Sequence, residues 1–405
     1  MPSDAEQYRS QIDELLNLPQ QSWLLGAGIS RNAGIPLMYP LTDRVEEMLS
    51  GDQKNDFQAI RSDLEESAHV EHVLSHIGDL ISLAGRTLTK EITIGESRRA
   101  IDALRALHSH IQAHIRVTMR WGYVPAQGET AAQIGTAEHP IVSIEDHVSF
   151  VKALFNVRRA GLERRPPVAF FTTNYDTLIE DALAMCRVRV TDGFCGGAMA
   201  YWEPDFCSAD LGRPFDNDGG WQAKIFKLHG SIDWFVSNED FVVRRREYAG
   251  YPPETSGRLL IYPQATKYQA TQKDPFASLF AAFRNALNSN ECSLLAICGY
   301  SFGDEHINEE IKRALEHRGN QLNVLAFVKQ PDDPVLPGEQ GLPPTIVEWL
   351  KSESTWKDRL VIAGSRAVYH GDLTPKCAVN ADSQHSWWTF NGVTNLLRHG
   401  PEVIA

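Results

Sequence analysis

Four short motifs place glycines and polar side chains directly after apolar runs, at the positions where buried strands would end. They are Gly26-Ala27-Gly28-Ile29-Ser30, Thr172-Thr173-Asn174-Tyr175-Asp176, Lys227-Leu228-His229-Gly230-Ser231 and Gly299-Tyr300-Ser301-Phe302-Gly303-Asp304. In open α/β sheets, ligands bind at the carboxyl ends of the strands. The spacing therefore predicts that the four motifs contribute to one binding site.

The first motif has the glycine spacing of a phosphate-binding turn. Glycine lets the backbone approach a diphosphate closely, and a following helix would supply amide donors. The third glycine of the dinucleotide-binding fingerprint is replaced by Arg31. Because of that departure, a plain tight turn explains this motif equally well when it is taken alone.

Three polar residues are the candidates for chemistry. Asn174 can orient a water molecule or a substrate amide, and Asp176 can hold a ribose hydroxyl or a carboxamide. Either residue could instead cap a helix by accepting free backbone amides. His229 is a candidate general base near neutral pH, and a structural histidine is the alternative.

Seven short apolar runs are expected to be the strands that position these motifs. They are Ser22–Gly26, Val168–Thr172, Lys224–Leu228, Leu259–Tyr262, Leu294–Cys298, Leu322–Val328 and Leu360–Ala363. Continuous rather than alternating hydrophobicity suits a parallel sheet that is covered on both faces. Helical patterns separate many of the runs, so we predict a doubly wound α/β fold with a mostly parallel sheet.

Two stretches interrupt this pattern. Residues 41–160 contain no convincing strand, and apolar side chains at helical spacing predict a helical insertion there (Ile101, Leu104, Leu107, Ile111 and Ile115). Pro331 to Pro344 is rich in proline, glycine and aspartate, and we expect it to separate the sheet from a small C-terminal extension. The predicted division is therefore a core begun in 1–40, an insertion in 41–160, the rest of the core in 161–330 and an extension in 345–405.

Composition excludes several classes of function. The 39 basic and 52 acidic residues give a net charge of −13, which disfavours general nucleic-acid binding. None of the six cysteines forms a C-x-x-C pair, so we expect no zinc ribbon and no metal site. The N-terminus has no apolar signal core, and no apolar run reaches the length of a membrane span. We expect a cytoplasmic protein.

Taken together, the motifs GAGIS, TTNYD, HG and GYSFGD resemble the four nucleotide-site motifs of the sirtuins. The similarity is greatest to the bacterial sirtuin-like NAD-cleaving defence proteins, whose motifs read much like Thr172 to Asp176, Lys227 to Ser231 and Gly299 to Asp304. The stretch His69 to Ser75 also resembles a helical segment common in that branch. The resemblance spans about residues 20 to 330 and implies a Rossmann-like, sirtuin-like core.

The resemblance assigns roles to residues at matching positions. Asn174, Asp176 and His229 would be catalytic, with Asn174 and Asp176 near the nicotinamide ribose and carboxamide. The residues implied to line the NAD diphosphate are Gly26, Ala27, Gly28 and Ser30. Thr172 joins the cofactor-binding set, and Gly299, Ser301 and Asp304 would face the adenosine side.

Two departures from the deacetylating sirtuins argue against protein deacylation. The four-cysteine zinc module is missing, and Leu37-Met38-Tyr39-Pro40 stands where those enzymes have an Asp-Phe-Arg segment. The resemblance therefore implies an NAD⁺ hydrolase that releases nicotinamide and ADP-ribose, and a cyclised product remains open. The alternatives are a non-catalytic subunit that binds NAD or ADP-ribose and, less favoured, a deacylase.

The resembling family also implies a biological setting. Its members deplete NAD to abort phage infection, work as oligomers and are held in check until triggered. Their partners include HerA-type ring ATPases, Argonautes and cyclic-nucleotide sensor domains. This chain contains no ATPase P-loop, and the stretch after Thr345 is short for a sensor domain. We therefore expect a homo-oligomer with a separate protein partner, favouring a HerA-type ATPase over an Argonaute.

Overall fold

A computed structural model describes residues 4–197, 199–205, 220–236, 242–246, 258–261, 274–288, 293–331, 341–379 and 384–400. The strands in these ranges are β1 Gln20–Leu25, β2 Glu91–Ile94, β3 Ser97–Ala100, β4 Tyr123–Val124, β5 Gln133–Ile134, β6 Val168–Thr172, β7 Arg189–Thr191, β8 Phe194–Gly196, β9 Met199–Trp202, β10 Gln222–Lys227, β11 Gly230–Val236, β12 Val243–Arg246, β13 Arg258–Ile261, β14 Ser293–Cys298, β15 Leu322–Val328, β16 Leu360–Gly364 and β17 Val368–His370. The α-helices are α1 Asp4–Leu16, α2 Met38–Met48, α3 Gly51–Asp63, α4 Val70–Arg86, α5 Ile101–Trp121, α6 Glu145–Lys152, α7 Leu178–Met185, α8 Phe276–Leu287, α9 Glu305–Glu316, α10 Pro344–Lys351 and α11 Phe390–His399.

The central sheet has eight strands in the order β17-β16-β15-β14-β1-β6-β10-β7. All neighbouring pairs are parallel except β16 with β17. Six of the seven predicted apolar runs are strands of this sheet, which confirms the expected mostly parallel α/β architecture. The seventh run, Leu259–Tyr262, was wrongly placed in this sheet. It overlaps β13, which belongs to a second sheet and pairs antiparallel with β11.

Both faces of the central sheet are buried, as continuous apolar strands require. Leu24 packs into one core cluster, whereas its neighbours Trp23 and Leu25 pack into the cluster on the opposite face. Helices α8, α9 and α10 contribute to the first cluster, and α1, α6, α7 and α11 contribute to the second. This alternation within a single strand explains why the last three residues of β1 are all apolar.

A second, antiparallel sheet was missed by the sequence analysis. Its strand order is β13-β11-β12-β9-β8. Its aromatic contacts join Phe194 to Trp202 and to Trp234, with ring centroids 5.3 and 5.0 Å apart. Strand β11 begins at Gly230, so this sheet starts immediately after His229.

The insertion between β1 and β6 is mostly helical, from α2 to α6, and the helical spacing predicted for 101–115 lies on α5. The expectation that 41–160 holds no strand was wrong, since β2 pairs with β3 and β4 pairs with β5. These strands are only two to four residues long, so they give no continuous apolar run in the sequence. The insertion has its own core cluster, which also includes Tyr175 and Ile232 from the motif region.

The C-terminal stretch is part of the central sheet. Strands β16 and β17 extend its edge beyond β15, and α11 packs into the same cluster as α6. The expected separation after Pro331 to Pro344 was therefore wrong. Within the part of the chain that the structure describes, no helix is long and apolar enough to cross a membrane.

Candidate functional site

The four motifs meet at one edge of the central sheet. Strands β14, β1, β6 and β10 are consecutive neighbours and run parallel, so their carboxyl ends lie side by side. Leu25 is in register with Thr172 and with Cys298, and Thr172 is in register with Lys227. This arrangement is the one in which α/β folds bind ligands.

The glycines of the first motif allow close packing against the fourth. The Gly26 amide donates to the Cys298 carbonyl at 3.0 Å, and the Gly28 amide donates to the Gly299 carbonyl at 2.9 Å. A Cβ atom on Gly28 would lie 2.8 Å from the Gly299 Cα atom, closer than real Cβ contacts allow. Ala27 and Gly28 are nevertheless exposed. The glycines thus have a packing role beside the diphosphate-binding role that the resemblance implies.

Ser30 joins Asn174 and Asp176 in a buried hydrogen-bond network. The Ser30 Oγ atom donates to Asp176 Oδ2 at 2.9 Å and accepts from Asn174 Nδ2 at 3.1 Å. A hydroxyl has one proton, so donation to the carboxylate leaves its lone pairs for the amide NH₂ group. Asn174 Oδ1 then points away, and it has no hydrogen-bond partner among the described residues although Asn174 is only 6% exposed.

Two predicted site residues have local structural contacts. The Asp176 Oδ1 atom accepts from the amide of Leu178, the first residue of α7, at 3.0 Å. Asp176 is thus part of the network and also accepts from the first amide of α7. The Thr172 hydroxyl accepts from the Asn174 amide at 3.0 Å, and Thr172 is buried. The Thr172 hydroxyl therefore shapes the turn that carries Asn174, and its predicted role in cofactor binding stays a prediction.

His229 faces Asp304 across the site. The His229 Nε2 and Asp304 Oδ2 atoms are 2.9 Å apart, and both side chains are buried. Asp304 Oδ1 accepts from the amides of His306 and Ile307, at 3.0 and 3.4 Å, and so caps α9. The Asp304 carboxylate is thus directed at His229 and at the start of α9, and its assignment to the adenosine side stays a prediction. Ser301 lies in the adjoining loop and is exposed.

Sequence reasoning overlooked a buried ion pair beside the network. Lys227 Nζ lies 2.9 Å from Glu180 Oε1 and also donates to the Asp176 carbonyl. Burial raises the pKa of Glu180 from 4.5 to about 7, although the Lys227 charge acts to lower it. Burial acts to lower the pKa of Lys227, but the charges of Glu180, Asp176 and Asp233 outweigh it and raise that pKa overall. Lys227 therefore stays charged and ties α7 to the end of β6.

A second overlooked contact comes from the insertion. The Tyr175 hydroxyl donates to Glu71 Oε1 on α4, 104 positions away in the sequence. Both residues are buried, with exposures of 3% and 2%. Burial and the nearby Glu71 carboxylate raise the pKa of Tyr175 well above its ordinary value, so the phenol keeps its proton. The sequence around either residue carries no pattern that indicates this pair, because the contact forms only when α4 packs against the end of β6.

The histidines and cysteines of the described ranges are the candidate metal ligands. Within those ranges, no group of three His, Cys, Asp or Glu side chains is arranged to hold an ion. His69 and His72 instead form a reciprocal capping box at the start of α4. Cys207 and Cys292 lie outside the described residues. The absence of stoichiometric zinc stays a prediction.

The chain is similar to a known protein family. Residues 168–348 match a family model described as a SIR2-like domain. The matched range begins at β6 and ends within α10, so it contains the second, third and fourth motifs. Strand β1 and the helical insertion precede it. No curated protein matches the chain.

Proposed function

Since the chain carries a SIR2-like domain, a member of a family of NAD-dependent enzymes, we propose that it is an NAD⁺ hydrolase. The enzyme cleaves the bond between nicotinamide and ribose and releases nicotinamide and ADP-ribose. NAD⁺ is the substrate, and no metal takes part. The single observation that carries the proposal is the buried Asn174 Oδ1 atom, which has no hydrogen-bond partner within the described part of the chain although Ser30 and Asp176 lie beside it.

A buried polar atom without a partner is costly, and native proteins seldom leave one without a reason. Asn174 Oδ1 is an acceptor, so the missing partner is a donor, such as a ribose hydroxyl or a water molecule. The Ser30 contact fixes which way the amide points. The acceptor is therefore in place before substrate arrives, as catalysis by preorganised polar groups requires.

We assign the rest of the dinucleotide to the loops that follow β1 and β14. Ala27 and Gly28 are exposed after β1, and Ser301 and Gly303 are exposed after β14. These residues have small side chains, and the two loops are held together by the Gly28–Gly299 hydrogen bond. The resemblance assigns the diphosphate to the first loop and the adenosine side to the second, and small exposed residues fit both roles.

The reaction follows the dissociative course common to glycosidic bonds. The electron pair of the C1′–N bond leaves with nicotinamide, and the ribose acquires oxocarbenium character. Asn174 Oδ1 accepts a hydrogen bond from the attacking water and orients it. His229 takes a proton from that water as the new C1′–O bond forms.

The contact with Asp304 determines which ring nitrogen of His229 takes up the proton. An ionised carboxylate only accepts hydrogen bonds, so the proton of neutral His229 is on Nε2 and the lone pair is on Nδ1. After proton uptake, the imidazolium lies against the Asp304 charge. A carboxylate in this position stabilises the charge that develops on the histidine.

We extend the proposal to the cell on the strength of the sequence resemblance. Cleavage takes place in the cytoplasm and depletes NAD during anti-phage, abortive-infection defence. The chain works as a homo-oligomer and stays silent until a separate protein activates it, with a HerA-type ring ATPase favoured and an Argonaute as the alternative. An NAD-consuming enzyme without such control would damage its own host.

Product analysis tests the proposed reaction. The full chain, alone and with proteins that copurify from its host, is incubated with NAD⁺ and separately with NAD⁺ plus an acetyl-lysine peptide. We expect nicotinamide and ADP-ribose in equal amounts, with no need for the peptide. Peptide-dependent release would indicate a deacylase. Tight NAD binding without release under every condition would indicate a regulatory subunit.

A further inference from the structure

Tyr175 lies between the two candidate catalytic residues of the second motif and connects them to the helical insertion. Its side chain leaves the central sheet and joins the core cluster of the insertion. Its hydroxyl donates to Glu71 Oε1 on α4. The residues on either side of Tyr175 are Asn174 and Asp176, both held by Ser30. One side chain thus links α4 to the network at the end of β6.

The backbone of Tyr175 is held by strand β11. Its carbonyl accepts from the Ile232 amide at 3.0 Å and from the Ser231 hydroxyl at 3.3 Å. Ser231 is two residues beyond His229. Tyr175 therefore connects the second motif, which contains Asn174, to the third motif, which contains His229. Its own side chain is held by the hydrogen bond to Glu71.

Packing alone does not account for this pair. A phenylalanine would fill the same volume without burying a hydroxyl, and an apolar residue on α4 would avoid burying a carboxylate. Glu71 is 2% exposed, and its Oε2 atom has no hydrogen-bond partner among the described residues. Buried polar pairs of this kind stabilise the fold little, because the cost of removing both groups from water offsets much of the attraction between them. Their main effect is to fix the relative position of the two side chains.

Helix α4 is itself firmly held, so Glu71 is a suitable anchor. The amide of Val70 donates to the Thr42 hydroxyl of α2 at 2.9 Å. His69 and His72 close the capping box at the same end of the helix. Glu71 occupies the first turn, where the helix dipole favours a carboxylate.

We propose that Glu71 is a positioning residue, which holds Asn174 and Asp176 in their working geometry through the Tyr175 hydroxyl. The helical insertion then completes the site, although it lies outside the matched range of 168–348. This inference rests on the proposed NAD⁺ cleavage for its kinetic readout. Its structural consequence can be measured without that activity.

The kinetic test compares Glu71→Ala, Glu71→Gln and Tyr175→Phe. A misplacement near 1 Å costs about a hundredfold in rate, so we expect Glu71→Ala and Tyr175→Phe to lower kcat about ten- to a hundredfold. KM for NAD⁺ should change less than about threefold, because the interaction positions catalytic groups rather than binding substrate. Glu71→Gln keeps an acceptor for the phenol and should restore most of the wild-type kcat.

The double variant Glu71→Ala/Tyr175→Phe adds a second criterion. If Glu71 acts through Tyr175, the double variant should lose no more kcat than the worse of the two single variants. Independent, multiplying losses would contradict the proposed route. Asp56→Ala is the matched control, since Asp56 holds Arg99 at 2.8 Å within the insertion and does not touch the second motif. It should lower the melting temperature and leave kcat near the wild-type value.

Hydrogen–deuterium exchange separates failure of this inference from failure of the proposed function. We expect faster exchange in the peptide covering 172–178 for Glu71→Ala, and wild-type exchange there for Glu71→Gln and Asp56→Ala. If wild-type protein releases no nicotinamide even with the proteins that copurify from its host, but this exchange pattern appears, the proposed function fails and the positioning link stands. Unchanged exchange in Glu71→Ala, or a kcat within about twofold of wild type, overturns the positioning role.

Discussion

His229 Nε2 lies 2.9 Å from Asp304 Oδ2, and the same aspartate caps helix α9 through its other oxygen. One buried carboxylate therefore fixes both a helix start and the orientation of the candidate base. The two residues are 75 positions apart, in the third and fourth motifs. Their contact joins the ends of strands β10 and β14, between which β1 and β6 lie.

Asp304→Asn is expected to reverse the protonation of His229 while leaving the fold intact. The α9 amides require an acceptor, so the asparagine oxygen stays on α9 and its NH₂ group faces His229 Nε2. That nitrogen must then carry the lone pair, and the proton moves to Nδ1. We expect kcat to fall about a hundredfold or more. Nitrogen NMR of the imidazole reports the tautomer, and turnover gives the rate.

The control for this variant is Glu305→Gln, which removes the neighbouring charge at the exposed start of α9. It should keep the wild-type tautomer and rate. Asparagine is an effective helix cap, so Asp304→Asn should melt near the wild-type temperature. Wild-type turnover in a variant with the reversed tautomer would mean that His229 is not the base.

Glu180→Gln is expected to flatten part of the pH dependence of stability. Burial raises the pKa of Glu180 from 4.5 to about 7. The folded state therefore holds this proton more tightly than the unfolded state does. The stabilisation that results is complete below the unfolded pKa and is lost as pH rises through about 7.

Urea unfolding of the wild type and Glu180→Gln at several values between pH 4 and pH 8 tests this expectation. The glutamine cannot ionise and still accepts from Lys227. The free energy of unfolding of the variant, relative to wild type, should rise with pH across this window. A constant difference would show that Glu180 titrates normally in the folded protein.

Gly28→Ala and Ala27→Val should separate packing from ligand binding in the first loop. A Cβ atom on Gly28 would meet the Gly299 Cα atom at 2.8 Å, so this variant should lose about 1–3 kcal/mol of stability. Ala27 is exposed, and its enlargement should leave stability unchanged but raise KM for NAD⁺ several-fold. Thermal melting and initial-rate kinetics distinguish the two effects. Unchanged KM in Ala27→Val would place the diphosphate elsewhere.

The parts of the fold that the sequence predicted are those determined by local pattern. Continuous apolar runs marked six strands of the central sheet, and helical spacing marked α5. The convergence of Ser30 and Asn174 followed from their positions after parallel strands. Strands without a run of that kind were missed, such as β8 at Phe194–Gly196, which contains a cysteine and a glycine.

The parts that could not be predicted depend on distant residues. Glu71 meets Tyr175 only because α4 folds over the end of β6. The sequence predicted Asp304 as a site residue. Its contact with His229 depends on where the loop after β14 and the start of α9 place the carboxylate. The direction of β13 depends likewise on its partner β11, and a short apolar run carries no information about its partner.

The most direct test of the central claim compares binding and cleavage in His229→Ala and Asn174→Ala. Their proposed work is done in the transition state, so turnover should fall far more than affinity. We expect calorimetry to show an NAD⁺ affinity within about threefold of wild type. Chromatography should show that nicotinamide release under activating conditions falls by about a hundred- to ten-thousandfold, which is the usual contribution of a general base. Near-wild-type cleavage by both folded variants would contradict the assignment of this site.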